Sequence, residues 1–151
     1  MGDRCSMTIT CAPQDVPFFE EYGFDEDHDT LETQGAVVME GHEINYGGSD
    51  VIIAGMNKGI PFHYHHGAGC DYGEAMGAVL RRKHMPRATI DGAPFVVLNE
   101  VTGEPDEAGI EDYHSFRAFY ERTVEAIAKR AARAKPRPDP KLAESMNAAS
   151  L

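Results

Sequence analysis

Residues 60–66 read Ile60-Pro61-Phe62-His63-Tyr64-His65-His66, and their alternation decides how the middle of the chain folds. Ile60, Phe62, Tyr64 and His66 fall on one side of an extended segment, with Pro61, His63 and His65 on the other. The apolar side belongs to a core, so the spacing predicts a strand whose His63 and His65 point outward while His66 closes the inward row. Pro61 has no N–H for a ladder, which places it at the strand's start or on an edge. Three of the seven histidines lie here. Gly67-Ala68-Gly69 then forces a turn before Cys70, Asp71, Tyr72 and Glu74.

Upstream, Cys5, Met7, Ile9 and Cys11 alternate with Ser6, Thr8 and Thr10, a period of two that predicts a first strand. Pro13 ends it, and Asp15 is placed to cap a short helix carrying Val16, Phe18, Phe19 and Tyr22, stopped by Gly23. Asp25-Glu26-Asp27-His28-Asp29 reads as a solvated acidic loop. A calcium loop would need glycine and glutamate where Thr30 and Ala36 stand. Strands over Leu31–Met39 and His42–Tyr46 are expected, joined by a turn at Glu40-Gly41. Gly47-Gly48 breaks the second, and a helix with Val51, Ile52, Ile53 and Met56 inward runs to a stop at Gly59.

Downstream, Ala75–Arg82 reads as a strand continuing through Lys83 and His84 to a break at Pro86. Asp91-Gly92 turns the chain into the apolar Phe95-Val96-Val97-Leu98. From Asp112 as cap, Tyr113, Phe116, Tyr120, Val124, Ile127 and Ala131 recur at helical spacing, with Arg122, Lys129, Arg130 and Arg133 toward the C-terminal end. The order strand, helix, strand, strand, helix, strand has the form of a ferredoxin-like βαββαβ unit, followed by a further β-hairpin and a long C-terminal helix. The expected class is α+β: an antiparallel sheet with helices on one face. Residues 1–134 should form one domain and 135–151 a flexible tail.

The 151 residues are 42% hydrophobic and 26% charged, the composition of an ordinary globular domain. No stretch has the roughly 20 apolar residues of a membrane span, and no apolar core of a signal peptide follows the first charges. Three cysteines are too few for a disulfide framework, so a reducing, cytoplasmic location is expected. The formal charge is −11, and residues 1–60 hold twelve acids against Arg4 and Lys58. That front half repels phosphate backbones and disfavours direct contact with nucleic acid. It suits a basic protein surface instead. Arg81, Arg82, Lys83 and Arg87 form a basic patch that a solvated strand end or an anion-docking surface would explain.

Two classes of function follow. The first is a small acidic protein-binding module, an inhibitor or charge mimic that blocks a basic, nucleic-acid-handling partner. Its contact residues would be Asp25, Glu26, Asp27, Asp29, His63, His65 and Tyr72. It needs no cofactor. The alternative is a small metal-dependent or Cys/His enzyme centred on residues 63–74. His63 and His65, two apart on one strand face, could share a transition metal. Cys70 with His65 or His66 could make a thiolate–imidazole pair, with Glu43 orienting the ring.

Overall fold

The computed structural model describes residues 4–28 and 33–135. Asp29 and residues 136–151, most of the expected tail, lie outside the described residues. The strands are β1 (Arg4–Cys11), β2 (Asp25–Glu26), β3 (Val37–Asn45), β4 (Phe62–His66), β5 (Ala75–Leu80), β6 (Lys83–Ile90) and β7 (Ala93–Pro94). The α-helices are α1 (Val16–Glu20), α2 (Ser49–Lys58) and α3 (Glu107–Ala132), with single 3-10 turns at Pro13–Asp15, Thr33–Gly35 and Tyr46–Gly48. All seven strands lie in one sheet, in the order β2-β3-β1-β4-β5-β6-β7, and every neighbouring pair is antiparallel. The fold is mixed α and β.

Register explains the first core. β1 sits between β3 and β4, so Ile9 is flanked by Met39 and Tyr64, and Cys11 by Val37 and Phe62. The inward rows of three strands thereby coincide, and α1 and α2 close over them with Val16, Phe19, Val51 and Ile52. Phe19 meets the Phe62 ring edge-on at 5.1 Å. Both rings are fully buried, and burial of each contributes on the order of 2–3 kcal/mol. Gly55 of α2 is part of this fit, because a Cβ there would stand 2.6 Å from the Phe62 ring. Cys5 and Cys11 are both buried on this row.

The opposite face is also covered, which corrects the expectation of helices on one side only. α3 packs across β4, β5 and β6 with Phe116, Phe119, Thr123 and Ile127 buried. The strands supply a suitable bed, since Thr10 and Ala78 on that face are small and buried. Alternation in β4 identified two faces. It could not say that the second would also receive a helix.

Local expectations change for physical reasons. β3 runs unbroken through Glu40-Gly41, where a turn was expected. Gly41 is small because the Phe24 ring lies 2.7 Å from where its Cβ would be. Asp25–Glu26 is an edge strand paired with β3 and not a loop. Ile53 of α2 faces out, 53% exposed. β6 continues through Pro86, which is tolerated because β7 pairs only with Thr89 and Ile90. Phe95–Leu98 forms no strand beyond a single Leu98–Pro105 bridge, leaving Val97 70% exposed. α3 begins at Glu107, five residues before the expected cap. Asp15 makes no capping hydrogen bond, and its carboxylate instead receives Arg130.

Candidate functional site

On the α3 side of β4, the Tyr120 hydroxyl lies 3.1 Å from His63 Nδ1 and the two rings are 4.8 Å apart. Burial lowers the His63 pKa to about 4, so the ring is neutral near pH 7 and its Nδ1 can accept the hydroxyl proton. His65 shares this face, with Nε2 3.4 Å from the Thr89 hydroxyl. Of the expected solvent-facing pair, His63 is therefore tucked against α3, and His65 is half-buried on the same face beside β6. Among the described residues, no group of three or more His, Cys, Asp and Glu side chains is arranged to hold a metal ion.

The other face of β4 carries a chain of rings. His66 is 8% exposed and its Nδ1 lies 2.8 Å from the Gly67 carbonyl, which makes Nδ1 the protonated donor. It stacks on Tyr64 at 6.1 Å and meets Tyr72 edge-on at 5.5 Å. The Tyr64 hydroxyl is 2.6 Å from His84 Nε2 on β6, two strands away. That reach depends on Gly77 of β5, directly opposite Tyr64, which has no side chain to lift the ring off the sheet. Burial raises the Tyr64 pKa and lowers that of His84, so the phenol donates to a neutral imidazole. His84 was missed as a site residue. No local pattern signals it, because the contact is made across the intervening strand.

Of the remaining candidates, Glu43 and Glu74 bond elsewhere. Cys70 is exposed in the turn after β4. Glu43 pairs with Arg4 at 3.2 Å near the end of β3, rather than with a histidine. Glu74 accepts the Gly92 N–H at 2.7 Å, and this bond, followed by one from the Thr89 side chain, holds its carboxyl below the usual range.

The acids gather at the β2–β3 edge. Asp25 stands directly opposite Glu40, and both are exposed. Glu26 faces Met39, and the Asp27 N–H donates to the Val38 carbonyl at 2.8 Å. Exposed Glu20 and Glu21 end α1 nearby in sequence. A bulge between β1 and β3 places Glu43 at φ 56°, a left-handed conformation that glycine usually occupies. Of the expected contact residues, Asp25, Glu26 and Asp27 share this edge. His63 lies against α3, His65 is on the same face beside Thr89, and Tyr72 is on the opposite face against His66, so these do not form one surface with the acids.

Among the described residues, open grooves lie beside α3. One of about 490 Å³ is lined by Arg87, Phe95–Asn99, Asp106, Gly109 and Asp112. Its Arg87 is already engaged, donating to the Phe95 carbonyl at 2.8 Å with Tyr113 5.1 Å away. Another, about 400 Å³, lies between the β5–β6 turn and the C-terminal half of α3. No helix among the described residues is long and apolar enough to cross a membrane. No protein-family model matches the chain, and neither the curated proteins nor the solved structures contain a significant match.

Proposed function

We propose that the chain is a small protein-binding module that docks a basic partner surface on its β2–β3 edge. The observation that carries this reading is the cross-strand pair Asp25–Glu40, two carboxylates set directly opposite each other at an exposed sheet edge. Like charges in that register destabilise a free sheet. A lysine or arginine from a partner, seated between them, turns the repulsion into two attractions. β2 covers only two residues of the nine in β3, which leaves the partner room along the edge.

Within this proposal the module acts in the cytoplasm as a charge mimic, occupying a surface that its partner otherwise offers to nucleic acid. Residues 1–134 serve as one domain, supported by a single sheet running from β2 to β7. We read the β1–β4 part as ferredoxin-like, on the strength of its β2-β3-β1-β4 order and antiparallel neighbours. The enzyme alternative on residues 63–74 has less support, because Tyr64 is only 4% exposed, His66 stacks on it and Tyr72 meets His66 edge-on.

The test is titration of the chain with a short Lys/Arg-rich peptide that carries a labelled DNA oligonucleotide. The chain should displace the DNA, with strong salt dependence. The D25K/E40K double variant should fail to do so, while E100K/E111K, with the same change in charge, should retain displacement. Equal loss in both variants would reduce the effect to net charge and overturn the edge as the docking site.

A further inference from the structure

The β5–β6 turn faces the C-terminal half of α3 across a groove lined by Leu80, Arg81, Lys83, Phe119, Arg122, Glu125, Ala126 and Lys129. We propose that this groove binds a small amphiphilic oxyanion: a short apolar body carrying a phosphate or carboxylate head. Its about 400 Å³ is the size of a small-molecule site. Phe119, 5% exposed, and half-buried Leu80 supply an apolar floor.

The rim is cationic. Lys129 is paired with Glu125 at 3.0 Å, which cancels the groove's one acid. Among the described residues, Arg81 and Lys83 have no ion-pair partner, and Arg122 rests its guanidinium 5.8 Å from the Phe119 ring centroid. Three cations thus surround an apolar floor in a chain whose formal charge is −11. Guanidinium groups suit the planar or tetrahedral oxygens of carboxylate and phosphate.

The turn itself points the same way. Leu80 pairs with Lys83, so Arg81 and Arg82 form a two-residue hairpin turn at φ 51° and 63°. Asn-Gly is favoured in such turns, and two arginines there hold their charge against conformational preference. Arg81 lines the groove. Arg82 leans the other way, its Nε 3.8 Å from where a Cβ on Gly59 would lie.

That divergence makes the test internal. Octyl phosphate, octanoate, inorganic phosphate, the neutral octyl glucoside and a Glu-rich peptide are titrated into the 151-residue chain by calorimetry, below micelle concentrations. Octyl phosphate or octanoate should bind, and which binds tighter identifies the head group. Inorganic phosphate and octyl glucoside should each bind at least about tenfold more weakly. R81G suits the turn's positive φ while removing one groove cation, and should weaken binding about tenfold. R82G makes the same change outside the groove and should leave it unaltered. Equal affinity for octyl phosphate and inorganic phosphate, binding of the Glu-rich peptide alone, or equal effects of R81G and R82G would each overturn the proposal.

Discussion

Arg130 of α3 grips Asp15 with two parallel hydrogen bonds of 2.7 Å, from Nε and from an Nη, closing the C-terminal half of the long helix onto the segment that starts α1. The Asp15 side chain is 5% exposed, and the Arg130 side chain 43%. Removing the arginine leaves a buried carboxylate without its counter-charge, the costly way to break such a pair. With a discount for the exposed guanidinium, Arg130→Met should lower unfolding free energy by about 2–3 kcal/mol in urea denaturation. The helix-surface pairs Arg117–Glu121 and Lys129–Glu125 are more than half exposed, and breaking either should leave the urea transition close to that of the wild type. Equal effects would show that the Asp15 contact is not a special anchor.

His63 gives the fold a sensitivity to acid. Its pKa falls from 6.5 to about 4 on burial, so the unfolded chain takes up its proton first. The group costs nothing above pH 6.5, and destabilises the fold increasingly as pH drops from 6.5 toward 4. The full loss is on the order of 3 kcal/mol. His63→Gln removes this titration, so its stability should decline less than wild type between pH 7 and pH 4.5. Parallel curves of stability against pH would refute the assignment.

Gly77 lies under the Tyr64 ring. A methyl group there would collide with the ring and its hydroxyl. Gly77→Ala should therefore cost about 1–3 kcal/mol, the range for overpacking a filled site. Tyr64→Phe keeps the ring and loses only the bond to His84, at a cost of about 1 kcal/mol. A smaller effect from Gly77→Ala than from Tyr64→Phe would mean that the hydroxyl, and not the close fit, governs this region.

The Asp25–Glu40 pair makes an unusual pairing of outcomes. Asp25→Lys should stabilise the isolated protein by about 0.2–1 kcal/mol, because it replaces a cross-strand repulsion with an attraction. The same change should weaken capture of the Lys/Arg-rich peptide. A variant that is both less stable and unimpaired in binding would contradict the proposed role of the edge.

The alternation of Cys5, Met7, Ile9 and Cys11 with polar residues made β1 legible, because one face of it is core and the other is not. The same logic separated His66 from His63 and His65. It failed on exposure, since period two assigns a side chain to a face without saying what lies over it. Gly41 misled for a related reason: a glycine at a turn and a glycine beneath Phe24 look alike in one dimension. Asp25 and Glu26 were visible as acids, but their register against Glu40 and Met39 is a pairing across fourteen or so residues that composition does not encode. The Tyr64–His84 contact was hidden similarly, being made across an intervening strand. Local periodicity reveals elements, and long-range register assembles the site.

The two sides of the sheet have separate apolar interiors, one beneath α1 and α2 and the other beneath α3. Each can therefore open on its own timetable. Detachment of α3 would uncover His63 while leaving Met7, Ile9 and Phe62 packed, a partial opening in which the helix amides exchange with solvent before those of β1 and β4. Acid, by charging His63 only in the open form, would favour that opening. Acid should therefore loosen the hold of β4 on the long helix through the histidine beneath Tyr120.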